Sequence, residues 1–265
     1  MIPTLRQAFN ANYTSEKYQR LLRLMDERCG TPVKFRVSET PCFFPKPLLD
    51  QMSQYGQELI RQLNGLEYRK ASFDSIPPEY NAPNETSHPM FVQVDFGLIR
   101  DSKGNLQPKL VELQGFPSLY AYQAMLSQLY QEVFELDPSL KYLLSGLDWE
   151  GYKRLLRKAV LGDHDPSNVI LMEVDPLRQK TLPDFVLTEK LLGIKTVDIA
   201  DIKKVGNYLL YDREGKRTPI HRIYNRAIVD ELVRKKTKYA FQFTDDLQVE
   251  WAGHPNWYFR ISKFS

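Results

Sequence analysis

Two acidic residues with amide neighbours lie in two short segments in which polar and apolar residues alternate. The segments are MFVQVDFGLI (residues 90–99) and KLVELQGF (residues 109–116). Because successive side chains of a strand point to opposite faces, Gln93 and Asp95 share one face of the first strand, and Glu112 and Gln114 share one face of the second. The turn-forming stretch RDSKGNLQP between them predicts a β-hairpin.

The hairpin register decides whether the two acids meet. If the hairpin is symmetric about Lys103 and Gly104, Asp95 lies opposite Glu112. Opposed like charges cost roughly 0.2–1 kcal/mol on a sheet, so the pair predicts a compensating cation, and Mg²⁺ commonly takes one or two protein carboxylates. The alternative is an ordinary solvent-facing sheet surface in which Lys109 or an arginine neutralises the acids.

Three further residues are candidates for binding a substrate or a nucleotide. Arg226 closes the segment IHRIYNR just before a helical pattern, where a guanidinium could hold a substrate carboxylate in a bidentate fashion or form a structural ion pair. Asn256 and Lys263 lie in the segment WAGHPNWYFRISKF, which could contact a substrate or nucleotide or could be an aromatic-anchored tail packed on the core. A lone histidine, His221, is interpreted as structural.

The elements that must position these residues follow from the spacing of apolar side chains. Helical spacing predicts helices over residues 15–28, 47–63, 118–136 and 148–161, and the breaker-rich residues 75–89 predict a loop. From about residue 165 the order is a strand (NVILMEV), a helix (LPDFVLTEKLLG), a strand (IKTVDI), further strands (NYLLYDREGKRTPIHRIYNR) and a helix (AIVDELVRKK).

This order predicts two regions. Residues 1–164 form an α+β region of helices and an antiparallel hairpin sheet, and residues 165–265 form a small three-layer α/β unit with a C-terminal tail.

The hairpin and the downstream order of elements resemble the circularly permuted ATP-grasp proteins, the group that includes glutathionylspermidine synthetase-like ligases. The resemblance spans about residues 90–265 and implies that the α/β unit is the pre-ATP-grasp-like unit flanking the grasp. It also implies that Asp95 and Glu112 bind the magnesium of MgATP, with Gln114 at the amide position of the family's Glu-x-Asn motif. Gln93 stands where the family has an arginine facing the phosphates.

In that family the enzyme phosphorylates a carboxylate with ATP, and an amine attacks the acyl phosphate to form an amide. The resemblance therefore implies an ATP-dependent carboxylate–amine ligase with Mg²⁺ and ATP as cofactors, Arg226 as a substrate clamp, and Asn256 and Lys263 near the nucleotide or the substrate. The substrates would be a small-molecule carboxylate and amine.

Three features depart from the family pattern. Gln114 replaces the family's asparagine, Gln93 replaces its arginine, and no glycine-rich phosphate loop follows the tail. The expectation is an N-terminal portion that stops before the later nucleotide-binding segment. The alternative function is a noncatalytic relative that binds a small molecule or a partner.

Composition limits the other classes of function. The 36 basic and 33 acidic residues are mixed along the chain and leave a net charge of +3, which predicts binding to neither nucleic acid nor membranes. Cys29 and Cys42 lie outside any CxxC pair and are interpreted as ordinary thiols. No apolar run approaches the roughly 18 residues that span a bilayer, so a cytoplasmic location is expected.

Overall fold

A computed structural model describes residues 2–261 of the chain. The helices are α1 (Pro3–Asn12), α2 (Ser15–Cys29), α3 (Lys46–Leu63), α4 (Leu66–Ala71), α5 (Tyr120–Val133), α6 (Trp149–Leu161), α7 (Leu182–Leu192), α8 (Val229–Lys235) and α9 (Pro255–Arg260). The strands are β1 (Gln93–Arg100), β2 (Leu106–Gln114), β3 (Val169–Glu173), β4 (Lys195–Asp198), β5 (Lys203–Val205), β6 (Tyr208–Arg213), β7 (Lys216–Ile220), β8 (Arg222–Asn225) and β9 (Glu250–Ala252).

The helices expected from apolar spacing are confirmed as α2, α3, α5 and α6, with small differences at their ends. The N-cap of α2 is Thr14, whose side chain accepts a hydrogen bond from the Lys17 N–H. Apolar spacing did not predict α1, α4 and α9, which are short helices of at most three turns.

The strands form three separate sheets. β1 and β2 form the predicted antiparallel hairpin, β5, β6 and β7 form a three-stranded antiparallel sheet, and β4, β3, β8 and β9 form a parallel sheet in that order. His221 lies between β7 and β8, where the chain leaves the antiparallel sheet for the parallel one, and not inside a strand as the sequence suggested.

The parallel sheet lies between a layer of helices and the antiparallel sheet β5–β7. Strand β3 is buried along its whole length. Val169 and Leu171 on one of its faces pack among residues of α6 and α7. Ile170 and Met172 on the other face pack with residues of the antiparallel sheet β5–β7. The whole fold is therefore mixed α and β.

Contacts cross the boundary expected near residue 165. Leu187 of α7 belongs to the apolar cluster formed mainly by α2 and α5. Trp257 of α9 packs with Leu63 of α3 and with the hairpin residue Leu113. The two regions 1–164 and 165–265 thus share core contacts, and their division into domains stays a prediction.

Between residues 2 and 261, none of the helices combines the length and the apolar character that a bilayer crossing requires.

Candidate functional site

The β1–β2 hairpin brings the two acids and the two amides together. Gln93 pairs with Gln114, and Asp95 pairs with Glu112, as the sequence predicts. All four side chains are partly buried. The polar patch is therefore a cross-strand arrangement with acids opposite each other and amides opposite each other.

The loop end of the hairpin has a different register. Arg100 faces Leu106, so the turn is symmetric about Lys103 alone and not about Lys103 and Gly104 together. Between the turn and the acidic pair, β2 contains one residue more than β1, and this bulged residue is Val111. With this turn centre alone, Asp95 would lie opposite Val111. The bulge shifts the register by one residue and places Asp95 opposite Glu112.

Hydrogen bonds from the amides link the two carboxylates. Gln114 Nε2 donates to Asp95 Oδ2 at 2.9 Å and to Glu112 Oε1 at 2.7 Å, while Gln93 Nε2 donates to Asp95 Oδ1 at 2.9 Å. Oxygens from both acids thus converge on a single nitrogen atom. Within residues 2–261 neither acid forms an ion pair with Lys109 or with an arginine.

The donor set favours a hard cation over zinc. In the described part of the chain, no three residues of the types His, Cys, Asp and Glu cluster in a way that could hold a metal ion. A divalent ion at the hairpin would therefore have two carboxylates and complete its shell with amide, water or phosphate oxygens. This ligand set suits Mg²⁺, whereas structural zinc sites use four nitrogen or sulfur ligands.

The opposite face of the hairpin anchors it to the protein. Val92 and Leu113 pack against Leu63 and Trp257. Just beyond β2, the Gly115 N–H donates to the Ile261 carbonyl, and a side chain at this glycine would lie 2.7 Å from the Trp257 carbonyl oxygen. The polar face, which is on the other side of the strands, is thereby left to face away from α9.

Arg226 connects the hairpin to the parallel sheet. Its Nη1 donates to the carbonyls of Phe116 and Pro117, at 3.0 and 2.7 Å, in the loop between β2 and α5. The residue is 7% exposed, and among the described residues its Nε has no hydrogen-bond partner. Arg226 therefore holds the end of the hairpin at the carboxyl edge of the sheet and keeps one donor free.

This edge is a topological switch point. From β3 the chain runs to β4 on one side, whereas β8 and β9 lie on the other side. In open α/β sheets, ligands bind in the crevice outside the carboxyl ends of the strands at such a point. Glu173 is the last residue of β3, and Arg226 directly follows the last residue of β8.

Two buried carboxyls near Arg226, those of Glu173 and Asp184, were not predicted from the sequence. Burial raises the pKa of Glu173 to about 7, although a hydrogen bond from the Val174 N–H and the Arg226 charge oppose the shift. Burial also raises the pKa of Asp184, which accepts hydrogen bonds from the Leu119 and Tyr122 N–H groups at the start of α5. In the sequence, Glu173 appears as an acidic residue at the end of an apolar strand, and Asp184 appears as one in the first turn of an apolar helix.

Asn256 is fully engaged with the protein itself. It is 1% exposed, its Oδ1 accepts from the Ala82 N–H, and its Nδ2 donates to Asn81, Ala82 and Glu85. These contacts anchor the loop before β1 and leave no amide atom for a nucleotide. Lys263 lies outside the described residues.

The fold is similar to that of a glutathione synthetase-like effector from Globodera pallida, solved in its apo form. The two chains are 15% identical and superpose with a TM-score of 0.53, over 93% of this chain and 64% of the effector chain. This chain therefore spans less than two thirds of the effector's length. The similarity shows a shared fold. No protein-family model matches the chain, and no curated protein sequence matches it.

Proposed function

We propose that this chain belongs to an ATP-dependent carboxylate–amine ligase of the circularly permuted ATP-grasp type, and that its hairpin binds the magnesium of MgATP. The observation that carries the proposal is the convergence of Asp95 and Glu112 oxygens on one atom, Gln114 Nε2. A donor at this position occupies the place where a cation would compensate both acids. The shared fold with a glutathione synthetase-like effector supports a distant ATP-grasp-like relationship.

The residues of the hairpin fit Mg²⁺ by their chemistry. Asp95 and Glu112 supply the carboxylates, and Gln114 supplies an amide oxygen once its amide group turns over, because the oxygen and nitrogen ends of an amide have nearly the same shape. Bound magnesium would neutralise phosphate charge during phosphoryl transfer. Gln93, which donates to Asp95, would hold that carboxylate in place and leave its own oxygen near the phosphates.

Arg226 is the proposed contact for the carboxylate substrate. Its Nη1 already binds two backbone carbonyls, which fixes the guanidinium, and its buried Nε has no hydrogen-bond partner among the described residues. A fixed cation that meets a carboxylate needs no reorganisation when the substrate arrives. The amine would then attack the acyl phosphate formed from this carboxylate, and inorganic phosphate would leave as the amide forms.

A noncatalytic binding protein is the second candidate. It is favoured by the hydrogen bonds with which Gln93 and Gln114 already satisfy Asp95 without a cation. The engagement of Asn256 with the loop before β1 also favours this candidate, since its amide is already hydrogen-bonded within the protein.

Calorimetric titration with Mg²⁺ and ATP tests the proposal. The unmodified chain should bind MgATP, and Asp95→Asn and Glu112→Gln should each weaken binding at least about tenfold, because each removes one charged ligand. The matched control is Glu27→Gln, which neutralises an exposed acid of α2 and should leave binding unchanged. If both hairpin variants bind MgATP as the unmodified chain does, the metal hairpin is wrong. If neither the unmodified chain nor any of the variants binds MgATP, the noncatalytic candidate is favoured.

A further inference from the structure

We propose that a second site, formed by α4, the turn after it and α9, binds a small amphiphilic anion, that is, a phosphate or carboxylate group attached to an apolar body. The site is an open cavity of about 510 Å³. Its lining residues are Leu66, Arg69, Lys70, Phe73 and Arg260. None of these residues belongs to the hairpin cluster or to the crevice at Arg226.

The charges around this cavity do not balance. Arg260 Nη2 donates to Glu85 Oε2 at 3.1 Å, and Arg69 Nη2 lies 3.9 Å from the other oxygen of the same carboxylate. Two guanidinium groups therefore share one acid. Lys70 is exposed and has no acidic partner within residues 2–261. The lining thus carries an excess of positive charge, which an anion would offset.

The neighbouring acids do not remove this excess. Glu67 and Asp74 occur in the same segment of the chain, but neither lines the cavity. The carboxylate closest to the cations is Glu85, which the two arginines already share.

Arg260 is held in place by contacts from its guanidinium nitrogens. It is 4% exposed, and its Nη1 donates to the Arg69 carbonyl at 2.7 Å and to Ser72 Oγ at 2.8 Å. Its Nε lies 2.8 Å from Glu85 Oε1 in an ion pair, although the two atoms are not aligned for a hydrogen bond. Because Arg69 lies near the same carboxylate, the two guanidinium groups have one acid between them, and an anion in the cavity would offset the remaining charge.

The apolar part of the ligand is inferred from two exposed side chains. Leu66 is 71% exposed and Phe73 is 53% exposed, although both are large and apolar. The Arg260 guanidinium carbon lies 5.9 Å from the centre of the Phe73 ring, which places the cation beside the aromatic surface. An anion with an apolar body would cover this surface while its charged group meets the cations.

Titration monitored by calorimetry or NMR tests the site, with phenyl phosphate, benzoate, inorganic phosphate and phenol as probes and with no Mg²⁺ present. Phenyl phosphate or benzoate should bind at least about tenfold more tightly than inorganic phosphate, and phenol should bind no more tightly than inorganic phosphate. The comparison of phenyl phosphate with benzoate shows which anionic group the site prefers. Equal binding of phenyl phosphate and inorganic phosphate would overturn the apolar part of the proposal.

Two variants at exposed positions test the location without disturbing the fold. Lys70→Gln and Phe73→Ala should each weaken phenyl phosphate or benzoate binding about fivefold or more. The matched control is Lys158→Gln, on the exposed side of α6, which removes the same charge and should not change the affinity. If Lys70→Gln behaves like this control, the site is wrong. Asp95→Asn should bind the probes normally, so this site and the hairpin are tested independently.

Discussion

At the scale of single residues, the acidic pair of the hairpin shows how amides can hold two carboxylates together. Opposed carboxylates on a sheet cost roughly 0.2–1 kcal/mol, yet here one amide nitrogen donates to an oxygen of each acid. An amide supplies hydrogen bonds but no net positive charge. The electrostatic preference of Asp95 and Glu112 for a cation is therefore not met by Gln114, and this is the reason for proposing a metal ion at the hairpin.

Glu173 gives a pH-dependent prediction. Its pKa is about 7 in the folded chain, compared with 4.5 as its ordinary value, because the side chain is buried. Between these two pH values the folded chain holds a proton that the unfolded chain has released, so this residue makes stability fall as the pH rises from about 4.5 to about 7. Glu173→Gln removes this loss, which amounts to about 3 kcal/mol at most.

Urea denaturation at pH 5 and pH 8 checks this prediction. The free energy of unfolding of Glu173→Gln minus that of the unmodified chain should be larger at pH 8 than at pH 5. The same stability difference at both pH values would show that the carboxyl titrates normally in the folded chain.

At the scale of elements, the bulge in β2 shifts the strand register by one residue between the hairpin turn and the acidic pair. Val111 is the extra residue of β2 and is 67% exposed. Without it, the register set by the turn would continue without interruption, and Glu112 would follow Leu110 directly. Glu112 would then still lie opposite Asp95, because alternation along the strand would be regular.

Deletion of Val111 should therefore keep the acidic pair. The expected result is an unchanged contact between Asp95 and Glu112, with a stability change within about 1 kcal/mol, since the side chain is exposed. Cross-strand NOEs between these two residues measure the register. Loss of these NOEs in a folded variant would show that the bulge sets the register instead of adapting to it.

At the scale of the whole molecule, α9 and the loop before β1 are joined by contacts between distant parts of the sequence. Asn256 bonds to Ala82 across 174 positions, and Trp257 packs near the hairpin and α3. These contacts join α9, which belongs to the predicted region 165–265, to residues of the predicted region 1–164. The position of the hairpin therefore depends on the end of the described chain.

Asn256→Ala should destabilise the protein. The substitution leaves the N–H and carbonyl of Ala82 without their partner in a buried position, and the expected cost is about 2–4 kcal/mol. Chemical denaturation measures the loss. Under native conditions Mg²⁺ binding by the hairpin should remain, because Asn256 does not contact it. A variant of unchanged stability that no longer binds nucleotide would instead support the contact predicted from the sequence.

Local patterns predicted a large part of this architecture. The helices α2, α3, α5 and α6 and the hairpin follow from periodicities of 3.6 and 2 residues, which depend only on neighbouring positions. The helices α1, α4 and α9 and the strands β5 and β9 were missed because short elements contain too few repeats to show a period. Packing against the rest of the chain stabilises them.

The sequence by itself determined which residues share a face of the hairpin, since alternation of side chains is fixed by the covalent geometry of a strand. Tertiary structure alone decided the partners of those residues. Arg226 meets carbonyls 109 and 110 positions away, Asn256 is bound to the loop before β1, and Glu173 and Asp184 are each buried. Such partners depend on how distant elements pack, and burial, which sets the charge of a carboxyl, exists only after they have packed.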